Sequence, residues 1–333
     1  MFSPLPKYSH IYVEERAAAH PNTSIILSNM SRASVIPIRH YSEVFNRGNQ
    51  RWKIQKELPK IILAIRDSEF LYEGSPLAPS FGAEHFYYNS LVMNCPYDCE
   101  YCYLQGMYSS GHVVMFVNNE DFQNATSEKL SELGSLYLCI SYDSDLLALE
   151  GIFPFCSSWI SFTKEHPELT IEIRTKSANS SPFVSQEPCE RVVLAWTISP
   201  EEYVNDIEHG TARLSARLKA VEKVLSLGWK VRLCFDPVIL LDSWKENYSR
   251  LTDQLAQSIS LKRISQFAVG TFRMPEGYFK KSYQRRPHSR ILAQRYETSN
   301  GAVGHPEELQ QEARAFVRGL LSQHVDENRI FLC

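Results

Sequence analysis

The chain has 333 residues, 44% apolar and 22% charged, with a formal net charge of −3. That balance excludes disorder, collagen-like repeats and a coiled coil for most of the length, and predicts one large α/β domain or about two ordinary ones. The charge excludes a histone-like polycation but not a local basic patch, and no run approaches the roughly 18–20 uninterrupted apolar residues of a membrane helix.

The N-terminal run MFSPLPKYSHIYVEERAAAHP has no apolar core of signal-peptide type, which predicts a cytoplasmic protein without membrane association. Residues 24–27 (SIIL) and 60–65 (KIILAI) read as strands, with a polar, helical stretch between them. They predict a small α/β N-terminal domain over residues 1–80. Residues 75–79 (SPLAP) read as a linker, because both prolines disfavour regular structure. From residue 86 the pattern alternates. Strands are predicted at 86–93, 135–141, 170–174, 192–198, 230–235 and 265–272, with helices at 145–151, 157–166 and 212–227 among them. In the last helix Leu214, Leu218, Val221, Val224 and Leu225 fall at helical spacing. Alternating β and α units imply a parallel sheet with crossover helices. Six units predict a partial (β/α)6 barrel over 81–275, with chemistry at the C-terminal strand ends. A doubly wound open sheet is the alternative. Residues 276–333 form a C-terminal region with a basic segment, a helix at 305–322 and an end strand at 329–333.

Eight cysteines are too few for a disulfide scaffold. Clustered cysteines in a cytosolic chain are better read as metal ligands or catalytic thiols. Residues 94–105 read NCPYDCEYCYLQ, directly after a predicted strand. They place Cys95, Cys99 and Cys102 at C-x3-C-x2-C spacing. Three thiolates on one loop can hold three corners of a cubane cluster, and with no fourth cysteine nearby one iron stays open for an outside ligand. The alternatives are zinc ligands or unrelated thiols. Zinc sites usually add a second C-x2-C or paired histidines, and neither follows here.

The three-cysteine motif, with an aromatic on each side of Cys102, resembles the radical S-adenosylmethionine (radical SAM) superfamily. The longer run CEYCYLQ resembles the spore photoproduct lyase family, whose members carry C-x-Y-C-Y-L-Q there. Looser likenesses cover residues 46–52 (NRGNQRW), 61–66 (IILAIR), 171–176 (IEIRTK), 207–224 and 231–244. The resemblance implies a radical SAM partial barrel holding a 4Fe–4S cluster and S-adenosylmethionine. It implies a lyase that reverses spore photoproduct, a methylene-bridged thymine dimer, to two thymines by way of a 5′-deoxyadenosyl radical and a cysteine hydrogen donor.

The resemblance also assigns expected roles. Cys139 would be the hydrogen donor, since an S–H bond is weak enough to yield a hydrogen atom to a carbon radical; its other reading is a buried core cysteine. Tyr101 and Tyr103 would relay the radical back towards the cofactor, or else pack beside the cluster. Ser141, Lys176 and Thr197, at successive strand ends, would contact the cofactor, although the two hydroxyls also suit ordinary strand ends. The family has C-T-S-D where this chain has C-I-S-Y-D-S-D, an apparent one-residue insertion. Cys156, Cys189, Cys234 and Cys333 receive no role.

Residues 280–295 (KKSYQRRPHSRILAQR) hold six Lys or Arg and no acid, with Tyr283 interleaved. They suit phosphate contacts and base stacking, or simply a solvated basic loop. The resemblance implies DNA containing a thymine photoproduct as partner, an electron donor such as a flavodoxin or ferredoxin, and a monomer. Two other functions stay open: a radical SAM enzyme acting on another substrate, and a non-catalytic, cluster-bearing, nucleic-acid-binding relative.

Overall fold

The computed structural model describes residues 8–75 and 77–333. Its larger sheet is built on six parallel strands, β1 (Phe86–Tyr88), β2 (Leu136–Cys139), β3 (Leu169–Thr175), β4 (Val192–Thr197), β5 (Lys230–Val238) and β6 (Gln266–Thr271). They lie side by side in chain order. Ile330–Leu332 adds parallel to β6, and Tyr72–Glu73 adds antiparallel to β1. A doubly wound sheet needs a point where strand order reverses. None occurs between β1 and β6, so the alternative topology is excluded, and the sheet curls into a half barrel.

Strands buried on both faces read as continuous apolar runs rather than alternating ones. All six residues of β4 are buried. The outer face packs on helices Phe155–Glu165, Leu214–Ser226, Trp244–Ser258 and Glu307–Leu321. The predicted stripe of Leu214, Leu218, Val221, Val224 and Leu225 is the buried face of its helix. A small separate cluster joins Ala195, Cys234 and Ala268, with Phe81 and Cys333 packed against it. Cys234 is therefore a packing residue, as is Cys156 in the main core.

The second sheet runs in the order Ser34–Ile38, His10–Glu14, Ile61–Ala64, Val113–Phe116, Val92–Met93. Two of its five strands come from beyond residue 80, so the sheet is not confined to residues 1–80. The predicted strand at 86–93 is in fact two. β1 belongs to the barrel sheet, and Val92–Met93 crosses to the other sheet and pairs with Val113–Phe116. The buried polar residues Asn89 and Ser90 mark the break.

Residues 24–27 are not a strand but part of helix Pro21–Asn29. Proline at the first helical position and a His20 ring that accepts from the Asn22 amide start the helix, and local start signals outweigh the β-branched pair. Within the segment 75–79, Pro76 lies outside the described residues. Ser75 and Leu77–Pro79 line the main cavity rather than merely linking, and the Leu77 carbonyl accepts from Arg273 Nε at 2.7 Å.

Candidate active site

A cavity of about 430 Å3 opens at the C-terminal ends of the barrel strands. Every site residue expected from the sequence lines it. Cys95, Tyr101, Cys99, Cys102 and Tyr103 come from the loop after β1. Cys139 and Ser141 come from the end of β2, Lys176 from the end of β3 and Thr197 from β4.

The cysteine loop is tied down on three sides. Asp98–Cys99 pairs antiparallel with Glu208–His209, and the Glu100 amide donates to the Ile207 carbonyl at 2.9 Å. Asn94 takes a left-handed φ of 69°, which Asn tolerates better than most residues, and donates to the Ser110 and His112 carbonyls at 2.8 and 2.9 Å. Lys56 reaches in from helix Trp52–Glu57 and donates to Asn94 Oδ1 and to the Cys95 and Tyr97 carbonyls at 3.1, 2.6 and 3.0 Å.

The third side is the C-terminal helix Glu276–Arg285. A Cβ on Gly106 would lie 2.2 Å from the Tyr278 carbonyl oxygen, so only glycine permits this approach. Gly106→Ala should cost about 1–3 kcal/mol through overpacking. Thermal denaturation against wild type checks it, and an unchanged melting temperature would contradict the contact.

Two arginines of the basic segment serve the loop rather than solvent. Arg285 donates to the carbonyls of Gln105, Tyr108 (2.8 Å) and Ser109 (3.3 Å), and its guanidinium lies 4.5 Å from the Trp52 ring. Arg286 pairs with Asp98, between two of the cysteines, and donates to Gln105 Oε1 at 3.0 Å. Arg290 pairs with Asp206 and Asp242 at the surface. Lys280, Lys281, Tyr283 and Arg295 remain exposed. Partners that orient first ligands typically change metal affinity about 10–100-fold when lost. If the loop holds iron, Arg286→Ala should release it to a chelator about 10-fold faster, with Arg286→Lys partly restoring retention. Equal release rates would contradict this role.

Burial pushes the Cys95 thiol up to about 12 and raises Cys99 and Cys102 as well, while Lys56 and Lys176 pull against it. The lysines thus oppose the desolvation cost of thiolates. Among the described residues, no three His, Cys, Asp or Glu side chains close on a single ion. The three free thiols border one cavity, and a donor set of three cysteines would leave one iron of a 4Fe–4S group open to an outside ligand.

Cys139 is 4% exposed and held at about 12, chiefly by burial and by Glu172, its cross-strand neighbour, against the pull of Arg174. It therefore keeps its S–H bond at neutral pH. Tyr103 donates to the Tyr142 carbonyl at 2.9 Å and to Asp143 Oδ1 at 3.1 Å. The Tyr101 hydroxyl donates to Glu208, and Lys176 Nζ lies 5.3 Å from the Tyr101 ring. Burial pulls Lys176 down, but Cys99 and Glu208 hold it above its ordinary value. Ser141 Oγ accepts from the Arg174 amide at 2.6 Å, linking the ends of β2 and β3.

Sequence reasoning missed the charged floor. Glu172, Arg174, Asp236 and Arg273 all line the cavity. Arg174 Nε donates to Glu172 at 2.9 Å, and Arg273 grips both Asp236 oxygens at 2.7 and 3.1 Å. The available signal was ionisable residues inside otherwise apolar strand runs, such as TIEIR.

The family model described as spore photoproduct lyase matches residues 9–314. The chain belongs to the spore photoproduct lyase family. The spore photoproduct lyase of Geobacillus sp. (strain Y412MC61) is 24% identical over 211 residues, 62% of this chain and 59% of that protein. The lyase of Clostridium acetobutylicum is 22% identical over 177 residues, 52% and 53% of the two chains. The alignments thus span a little over half of these relatives. A spore photoproduct lyase complexed with dinucleoside spore photoproduct superposes with a TM-score of 0.84 at 18% identity, over 99% of each chain. A spore photoproduct lyase double variant with bound S-adenosylmethionine and dinucleoside spore photoproduct gives 0.84 at 18% identity over 98% of each. These solved structures share the half-barrel fold.

Proposed function

We propose that this chain is a radical SAM lyase that reverses spore photoproduct to two thymines. One observation carries the reading: the loop thiols, the protonated Cys139 and the strand-end polar groups face a single cavity. The relatives bearing the family's name and the solved complexes with the dinucleoside lesion and with S-adenosylmethionine support it.

Cys95, Cys99 and Cys102 would hold the 4Fe–4S cluster. Ser141, Lys176 and Thr197 would hold S-adenosylmethionine, with the buried ammonium of Lys176 as the charge partner for a carboxylate or ribose oxygen. When bound, these groups supply a one-electron cleavage that starts hydrogen abstraction from the lesion. The remaining steps belong to the protein. The buried walls exclude water from a carbon radical. Cys139, protonated by burial, delivers a hydrogen atom to the thymine radical left when the bridge opens. Tyr103, held by Asp143 and the Tyr142 carbonyl, then restores the Cys139 S–H bond, and Tyr101 continues the relay.

The exposed Lys280, Lys281 and Arg295, with Tyr283, would meet DNA phosphate and base. A crosslinked dimer stacks poorly, so extruding it costs less than extruding an intact pair. The electron donor would be a flavodoxin or ferredoxin, and the working form a monomer in the cytoplasm. No helix among the described residues is long and apolar enough to cross a membrane.

Anaerobic reconstitution tests the reading. Wild type should bind iron and release 5′-deoxyadenosine from S-adenosylmethionine under a reductant. Replacing Cys95, Cys99 and Cys102 together by alanine should abolish both. Iron retained by the triple variant would contradict the ligand set, and iron-loaded wild type that makes no 5′-deoxyadenosine would contradict the enzyme.

A further inference from the structure

Four tyrosine rings form a row from the cavity wall to the edge of the barrel sheet. The Tyr103 ring lies 6.0 Å from that of Tyr142. Tyr142 stacks on Tyr88 at 4.1 Å, and Tyr88 stacks on Tyr72 at 5.2 Å, the planes within 23° and 22° of parallel. Tyr103, Tyr142 and Tyr88 line the cavity, whereas Tyr72 lies beyond its lining, on the last strand of the sheet. The Tyr72 hydroxyl meets Arg66. Sheet register explains the row: Tyr72 is paired with Tyr88, and Tyr88 with Cys139. Tyr142 closes the gap to Tyr103, and it belongs to the C-I-S-Y-D run where the family motif is one residue shorter.

We propose that Tyr142, Tyr88 and Tyr72 are a side branch of the radical relay. The branch carries an oxidising equivalent stranded on Tyr103 to the sheet edge, where a small thiol quenches it. The inference rests on the relay role proposed above for Tyr103.

Each step exchanges like for like. The Tyr103 phenoxyl takes one electron and one proton from Tyr142, re-forming the Tyr103 O–H bond and breaking that of Tyr142. Tyr88 then restores Tyr142, and Tyr72 restores Tyr88. At the edge the thiol S–H bond breaks, the Tyr72 O–H bond re-forms, and two thiyl radicals couple to a disulfide. No step separates charge, which suits rings that burial keeps protonated: Tyr142 is pushed up to about 12 and Tyr88 is raised too, both chiefly by desolvation. Rings in stacked contact also keep a fixed mutual geometry, which favours repeated transfer along one path. Tyr108 also donates to Asp143, at 3.0 Å, but its ring neighbour is Phe45, which has no O–H to exchange. A branch through Tyr108 therefore ends there.

The test is abortive turnover in thiol-free buffer. Reconstituted protein receives S-adenosylmethionine, a reductant and a nitroso spin trap, without DNA, and adducts are located by peptide mass spectrometry. Wild type should carry the trap on Tyr72. In Tyr88→Phe, labelling of Tyr72 should fall at least 10-fold and move inward to Tyr142 or Tyr103. In Tyr72→Phe, which keeps the edge ring, it should stop at Tyr88 or Tyr142. Equal labelling of Tyr72 in wild type and Tyr88→Phe would overturn the branch. So would an unlabelled Tyr72 in wild type that accumulates 5′-deoxyadenosine. Wild type that makes no 5′-deoxyadenosine would overturn the functional reading itself, and the branch with it.

Discussion

Cys139→Ala should leave 5′-deoxyadenosine release within about twofold of wild type, while restored thymine falls on the order of 10-fold and reductant- or solvent-derived side products appear. The split follows from where Cys139 sits. It lines the same cavity as the loop cysteines but on another element, the end of β2, so cluster assembly does not depend on it. Its S–H bond is kept by burial and by Glu172, not by any metal ligand. Without that thiol, no S–H bond stands at the end of β2 to quench the thymine radical. Cys139→Ser should not restore clean product, because the O–H bond of an aliphatic alcohol, unlike that of a phenol, is much stronger than S–H. Chromatography of thymine, side products and 5′-deoxyadenosine in the same reaction checks both variants. Unchanged product from Cys139→Ala would remove it as the donor.

Arg217→Met should destabilise the fold by about 3–5 kcal/mol, because it removes the guanidinium paired with the buried Glu208 carboxylate. Both side chains of the pair are 0% exposed. Arg217 also donates to the Ala212 and Thr197 carbonyls at 2.9 and 3.0 Å and to Thr211 Oγ1 at 2.7 Å. Glu208 accepts from Tyr101 and from Ser199 Oγ at 3.1 Å. One ion pair thus fixes the cysteine loop, the end of β4 and Tyr101 together.

The pH dependence carries a sign. In wild type, burial raises the Glu208 carboxyl, but Arg217 and Lys176 outweigh it and hold the group below its ordinary 4.5. Its contribution is therefore present above pH 4.5 and lost as pH falls through the lowered value. Without Arg217 the leading charge that opposes burial is gone and the carboxyl rises relative to wild type, so the variant's deficit should grow as pH rises out of the acid range. Chemical denaturation of both proteins between pH 4 and 8 measures this. A constant deficit would show that Arg217 acts through packing alone.

The parts legible in the sequence were local ones. Strand–helix alternation, the helix stripe from Leu214 to Leu225 and the C-x3-C-x2-C loop are each encoded within a few turns of chain, and the structure contains them. Less local features did not show. Val113–Phe116 joins the second sheet by pairing with Ile61–Ala64, a partner about fifty residues earlier in the chain, and periodicity says nothing about partners at that distance. The apolar run at 86–93 hid a crossing between two sheets, because burial on both sides of the break produces the same composition. Arg285 and Arg286 looked like part of a phosphate-binding run. Only the close approach of their helix to Gly106 turns them towards the cysteine loop. The cavity's charged floor is likewise a product of barrel closure. It brings Glu172 and Arg174 from β3 and Asp236 from β5 together with Arg273 from the segment after β6.

One assay measures the proposed reaction directly. Protein reconstituted without oxygen is given S-adenosylmethionine, a reductant and a short oligonucleotide carrying a single spore photoproduct. Restored thymine should appear together with 5′-deoxyadenosine. Release of 5′-deoxyadenosine with the lesion intact would contradict the proposed reaction, leaving the radical core in place and moving the search to another substrate.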